Sequence, residues 1–261
     1  DRKMIGSEID ILIPDLNLGF EYNGLYWHSD IYKDKNYHLN KTEKCKSLGI
    51  KLVTIWEDDW KFKTDIVKWR ILNLLGKSKK IWARRCEIRE ISDLEAKIFF
   101  QENHIQGYCV SKFRFGLFYQ EKLVSAMTFG NLRRSLGQNT SYGDYELLRF
   151  CNLGGYSVVG GASKLLKGFL SKIVPSRIIS YADRSWSNGE LYQRLGFSLV
   201  KNTDPNYYWV VNDMRRNRFN FRKDRLVKEG FDSKKSESEI MKGQGYYKIW
   251  DSGSSKWEII F

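Results

Sequence analysis

The chain has 261 residues, with 44 Lys and Arg against 31 Asp and Glu, for a formal charge of +13. At roughly 100–200 residues per domain it holds one large domain or two modest ones. Its 42% hydrophobic and 15% aromatic content supplies packed cores and excludes disorder as the overall state. No apolar run approaches the ~18 residues of a membrane span and no signal-peptide pattern opens the sequence. The four scattered cysteines lack metal-finger spacing, so reduced thiols in a cytoplasmic protein with no membrane partner are expected. The surplus charge favours a polyanion, and double-stranded DNA is the expected partner.

From the N-terminus, Ser7–Pro14 alternates, with Ile9, Ile11 and Ile13 on one face and Glu8, Asp10 and Leu12 on the other. Pro14–Asn17 carries turn chemistry, and Leu18–Asn23 alternates again. An antiparallel hairpin is expected, with Asp10 beside Glu21. A helix follows over about Lys35–Leu48, where Tyr37, Lys41, Cys45 and Leu48 share a stripe that Gly49 stops. The apolar run Ile50–Trp56 leads into Glu57-Asp58-Asp59, a second helix covers Thr64–Leu75, and residues 77–80 have the composition of a linker.

A carboxylate pair on neighbouring strands without a cation nearby suits a divalent metal, while the plainer reading makes Asp10 and Glu21 ordinary polar strand residues. His28, a short loop beyond Glu21, has the pKa range of a general base or acid. Glu8-x-Asp10, Phe20-Glu21-Tyr22-Asn23-Gly24-Leu25-Tyr26-Trp27-His28-Ser29, Tyr37-His38 and Trp56-Glu57-Asp58-Asp59-Trp60 resemble the Vsr-like branch of the PD-(D/E)XK nucleases, and more narrowly the EDxHD homing endonucleases of bacteriophages. That resemblance, over about residues 5–75, implies Mg²⁺ (or Mn²⁺) on Asp10 and Glu21 and catalytic work by His28. Asn23 stands at the superfamily lysine position. Asp58 is the further acid, with Glu57 a close rival and Glu8 a weaker one. His38 either orients a water or phosphate or caps the helix stripe.

Beyond residue 80, Trp82–Arg89 is strand-like and Ser92-Asp93-Leu94-Glu95 is a capping box opening a helix to about Asn103. A hairpin surrounds Tyr119–Lys122, Tyr145–Phe150 is a strand, and Val158–Leu166 passes from a glycine turn into an amphipathic helix. Ile178–Ala182 is a strand, Ser187–Phe197 a helix ending at glycine, and Tyr207–Val211 a strand. This order resembles a GNAT-type acyltransferase fold. Arg149-Phe150 and Val159–Leu166 are similar to the Mom-like branch, whose phage members modify adenine in DNA. The resemblance implies that Gly160, Gly161, Ala162 and Ser163 hold a coenzyme A pyrophosphate and that Tyr192 is the general acid, although the glycine spacing departs from the usual pattern. The same loop can instead grip DNA backbone. Arg133, Arg134, Arg149, Lys164 and Arg184 would join that surface, together with the basic run Arg215, Arg216, Arg218 and Arg222.

The expected fold class is α/β. A small Vsr-like nuclease domain (a mixed sheet flanked by helices) over residues 1–76 precedes an α+β GNAT-like domain over 81–232, and residues 233–261 form a short helix and a hairpin turning at Ser252–Ser255. The expected activity is an Mg²⁺-dependent phage-type DNA endonuclease whose second domain binds DNA and selects the target. The alternative is a Mom-like DNA-base acyltransferase using acetyl-CoA, with a nuclease-like docking module. A catalytically inactive DNA-binding protein is a third reading.

Overall fold

The computed structural model describes residues 8–132 and 143–261, so Arg133 and Arg134 lie outside the described residues. It is a mixed α/β chain that divides into two compact units. The first holds the described residues up to Phe62 with Asp183–Asn188 and Asn202–Ser254. The second holds the described residues of Lys63–Ala182 with Gly189–Lys201 and Ser255–Phe261. Neither the expected boundary at residues 76–80 nor the one at 232 coincides with these units.

In the first unit, strands β1 (Ile11–Ile13) and β2 (Leu18–Asn23) form the expected antiparallel hairpin in the register Ile11↔Phe20. Its turn is a 3₁₀ segment, Pro14–Leu16, closed by Asn17 in the left-handed region (φ 47°). That conformation suits Asn, whose short polar side chain tolerates it. β3 (Lys51–Trp56) runs parallel to β2, with Glu21 opposite Thr54. Helix α1 (Tyr37–Ser47) buries Cys45 against Ile9, Ile50 and Leu52. Helix α2 (Glu57–Phe62) leaves β3 directly.

The rest of this unit comes from far along the sequence. β12 (Tyr207–Val211) is the centre of a three-stranded antiparallel sheet between β13 (Met214–Asn217) and β14 (Tyr247–Trp250). Asn212 and Asp213, both at positive φ, make the tight β12–β13 turn that matches strand twist. Trp209 is fully enclosed with Leu226 of α7 (Lys223–Lys228) and Ile240 and Met241 of α8 (Glu237–Gly243). Leu25 and Trp56 pack with Val210 and Ile249.

The second unit opens with α3 (Thr64–Leu74), β4 (Lys79–Trp82), β5 (Glu87–Glu90) and α4 (Asp93–Asn103), the last started by the Ser92–Glu95 capping box. There follow β6 (Phe113–Tyr119), β7 (Lys122–Asn131), β8 (Asp144–Asn152), β9 (Tyr156–Val159) and α5 (Gly161–Leu170). β10 (Arg177–Asp183), α6 (Glu190–Arg194), β11 (Ser198–Asn202) and β15 (Ser254–Ile260) complete it. The expected order of helix, hairpin, strand, glycine turn with helix, strand and helix is present, but the expected closing strand Tyr207–Val211 lies in the first unit, and β11 follows α6 instead. Seven strands form one sheet in the order β11-β15-β10-β8-β7-β6-β5. The apolar face of α5 (Leu165, Leu166, Phe169) covers it, with Phe169 stacked on Phe129 at 3.9 Å between ring centroids. Burying each such side chain contributes about 1.5–3 kcal/mol.

Two local expectations are corrected. The linker ends in a strand, because Lys79–Trp82 pairs in parallel with Tyr156–Val159. The C-terminal hairpin does not form: β14 bonds to β12, whereas β15 joins the seven-stranded sheet beside β10 and β11.

Arg215 of β13 ties the first unit together. Its Nε donates to Asp58 Oδ1 at 2.8 Å, its backbone N–H to Asp58 Oδ2 at 3.0 Å and its Nη2 to Asp59 Oδ2 at 2.5 Å. The guanidinium also lies over the Trp56 ring, 4.7 Å from its centroid. Arg215→Ala removes the guanidinium from buried Asp58 and Asp59 and should cost about 3–5 kcal/mol, whereas the exposed Arg216→Ala should stay within about 0.5 kcal/mol of the parent. Urea unfolding of both variants checks this.

Candidate functional sites in the two units

The β1–β2–α1 face gathers most of the expected nuclease residues. Extending the hairpin register by one position sets Asp10 opposite Glu21. Asp10 is exposed and accepts the Tyr22 N–H at 2.7 Å through Oδ2. Glu21 is buried, and its Oε1 lies 2.7 Å from Nζ of Lys41, on α1. Burial raises the Glu21 pKa, and the Lys41 contact works against that rise. Asn23 is buried and lines a small cavity with Glu21, Tyr37, His38, Lys41, Leu52 and Thr54. His28 Nδ1 and His38 Nε2 share a hydrogen bond of 3.0 Å with stacked rings, and Trp56 meets His38 edge-on.

The structure thus brings Asp10, Glu21, Asn23, His28 and His38 together and leaves the other acids apart. Asp58 is held by Arg215. Glu57 accepts the Leu25 N–H at 2.8 Å and anchors the loop after β2. Glu8 is exposed. Lys41 is the residue that sequence reasoning passed over. It sits on the stripe of Tyr37, Cys45 and Leu48, and a lysine on a buried stripe signals a partner in need of a cation.

Burial, helped by Lys33 and Lys41, lowers His28 to about 4, and burial with the neighbouring His28 lowers His38 to about 3. The unfolded chain takes up these protons near pH 6.5, and the folded one only near 4 and 3. Their contribution to stability is therefore complete above pH 6.5 and is lost as pH falls towards those values.

In the second unit, β8 and β10 pair in parallel over three positions, Arg177↔Asp144, Ile178↔Tyr145 and Ile179↔Glu146. At the next position the Ser180 hydroxyl donates to the Leu147 carbonyl at 2.8 Å, where a backbone ladder would otherwise continue. Ser180 Oγ also meets the Tyr192 hydroxyl at 2.9 Å, and burial raises the Tyr192 pKa. The paired register of the two strands ends at Ile179↔Glu146. Gly160 stands ahead of α5 in the left-handed region (φ 78°), exposed, and a Cβ on Gly161 would press on Val158 at 3.0 Å. Small residues and free first-turn N–H groups of a ten-residue helix fit a phosphate group, so this donor set is compatible with the pyrophosphate of an acyl carrier.

The expected DNA-facing cations divide. Arg184 is buried and ion-paired to Glu43, and Arg215 is turned onto Asp58 and Asp59. Lys164 donates to the Ala83 and Cys86 carbonyls, and Arg149 to the Gly107 and Leu148 carbonyls. Arg216, Arg218 and Arg222 are exposed.

No family model matches the sequence, and no curated protein matches it. Among solved structures, the chain resembles the ribosomal-protein-S18-alanine N-acetyltransferase of Escherichia coli at 12% identity, covering 67% of this chain and 93% of that one (TM-score 0.41). It resembles a GNAT family acetyltransferase of Elizabethkingia anophelis with acetyl-CoA bound at 11% identity, over 68% and 99% of the two chains (TM-score 0.39). An acetyltransferase of Bacillus subtilis in complex with CoA is similar at 12% identity, over 68% and 98% (TM-score 0.38).

The expectation of an Mg²⁺-dependent DNA endonuclease is corrected. The carboxylate pair has the cation that the metal reading required it to lack, since Lys41 sits on Glu21. No group of three or more His, Cys, Asp or Glu among the described residues is arranged to hold a metal ion, so the donor set does not fit Mg²⁺ or Mn²⁺. No helix among the described residues is long and apolar enough to cross a membrane.

His28→Gln and His38→Gln should each flatten the fall in unfolding free energy between pH 7 and 5. Urea titrations at the two pH values measure it, and an unchanged difference would remove the two rings from the account.

Proposed function

We propose that the chain is a DNA-base acyltransferase of GNAT type, with the first unit acting as a DNA-docking module. The observation that carries this reading is the end of the parallel β8–β10 ladder at Ile179↔Glu146, with the Tyr192 hydroxyl held by Ser180 just beyond it. Where a ladder ends, backbone donors and acceptors are left that an extended amide-containing chain can complete. Backbone N–H groups of Gly161, Ala162 and Ser163 would hold the carrier's pyrophosphate. Acetyl-CoA would supply an acyl thioester there.

Tyr192 holds a proton at its hydroxyl, because burial keeps the phenol above its ordinary pKa and therefore protonated at neutral pH. A protonated phenol of this kind can serve a leaving sulfur. In the balanced transfer a C–N bond forms on an exocyclic amine, the C–S bond breaks, and one proton passes from nitrogen to sulfur. The formal charge of +13 supports a polyanionic acceptor. Exposed Arg216, Arg218 and Arg222 on the first unit are suited to phosphate contacts.

Calorimetry of the full chain with acetyl-CoA should give stoichiometric binding, and labelled acetyl groups should enter duplex DNA. Absence of both would overturn the assignment. Tyr192→Phe should lower transfer by about 100-fold or more while leaving acetyl-CoA affinity within about threefold.

A further inference from the structure

The stretch Gly76–Cys86 carries Lys77, Lys79, Lys80, Arg84 and Arg85 and no acid. Its first half has the composition of a linker, yet Lys79–Trp82 is built into β4 and pairs in parallel with β9. Ile81 and Ala83 are buried, whereas Trp82 between them is 48% exposed. Successive side chains of a strand point to opposite sides, so Lys80 and Trp82 share the side away from Ile81. The register sets the exposed Val159 beside Trp82 on that side, one residue ahead of Gly160. Lys164 of α5 donates to the Ala83 and Cys86 carbonyls and so fixes the 3₁₀ turn Ala83–Arg85 that follows the strand. That turn carries the Arg84 guanidinium back to 5.6 Å from the centroid of the Trp82 ring. Lys79, Lys80, Arg84 and Arg85 are all exposed, and among the described residues none of them is ion-paired to a carboxylate. Positive charge that no neighbour neutralises is available to a polyanion.

We propose that Lys80, Trp82 and Arg84 form a contact strip for unpaired nucleic acid in the second unit, with backbone phosphates on the two cations and a base stacked on the Trp82 ring. The strip itself does not depend on the function proposed above; its assignment to the acceptor DNA does. Cations interleaved with an exposed aromatic ring suit a single strand, which presents backbone charge and base faces together. A duplex keeps its bases stacked within and offers the strip only phosphate, so the tryptophan favours the single strand. Lys79 and Arg85 flank the strip, and the charge therefore runs along the chain instead of converging on one point, as a polymer requires and a small phosphorylated cofactor does not. Chemistry on a base amine needs that base out of the stack. Trp82, paired to Val159, holds an unpaired stretch beside the glycine turn that opens α5.

Anisotropy titrations of the intact chain with a labelled single-stranded DNA oligonucleotide, and with the duplex of the same length, test this. Trp82→Ala should weaken single-strand binding by about tenfold or more and leave duplex binding within about twofold. Trp82→Phe keeps an aromatic face and should stay within about threefold of the parent. Lys80→Gln and Arg84→Gln should each reduce the slope of log affinity against log salt for the single strand by about 0.7. If Trp82→Ala loses native circular dichroism, the two charge variants carry the test. Unchanged single-strand affinity in a folded Trp82→Ala would overturn the strip, as would an unchanged salt slope in both charge variants. Coenzyme A that displaces the single strand from the parent and binds Trp82→Ala about tenfold more weakly would overturn it in favour of the acyl carrier. Strip-dependent binding in a protein that neither binds acetyl-CoA nor transfers acetyl would keep the strip and reject the acyltransferase reading.

Discussion

The first unit depends on one guanidinium. Arg215 joins residues 157 positions apart in sequence when it closes on Asp58, and it reaches Asp59 and the face of Trp56 as well. Three charged groups removed from water are tolerated only if they satisfy one another, and the planar fork of arginine allows two carboxylates and an aromatic ring to be met at once. This contact, with the packing of Leu25 and Trp56 on Val210 and Ile249, joins Asn202–Ser254 to the unit that the N-terminal residues begin. Removing the guanidinium would not simply delete one bond. It would take the charge partner from two buried acids at the start of α2 and remove the tie between β13 and α2.

The second unit is organised by an apolar constraint and opened by a polar one. Phe169, with Phe129 stacked on it and Phe113, Phe115 and Tyr145 edge-on, holds helix α5 to the sheet. That packing sets where the α5 N-terminus emerges. Just beyond the last paired position of β8 and β10, Ser180 gives its hydroxyl to the Leu147 carbonyl. The same Oγ meets the Tyr192 hydroxyl, so one serine ties the phenol to the end of the ladder.

The Asp10–Glu21–His28–His38 cluster separates placement from chemistry. Alternation and turn residues bring these side chains to one place, as expected from the sequence. The state of each group then follows from its neighbours. Lys41 neutralises Glu21, and burial keeps the two imidazoles neutral and stacked near pH 7. A carboxylate pair with a fixed ammonium is a different object from a bare pair, because the attraction a divalent cation would supply is already present.

Local order determined much of this protein. Strict alternation set the β1–β2 hairpin, Ser92 and Glu95 set the start of α4, and the glycine turn before an amphipathic run set α5, because each signal lies within a few residues of the element it controls. Partners far apart were decided only by the tertiary structure. Residue types do not record that Lys79–Trp82 pairs with Tyr156–Val159, that β14 turns to β12 while β15 joins β10, or that Arg215 faces inward while Arg216 faces water. A basic run reads the same whether its arginines meet buried aspartates or solvent. Which occurs is settled by the side of β13 from which each residue projects, and that side exists only once β12 has paired with it.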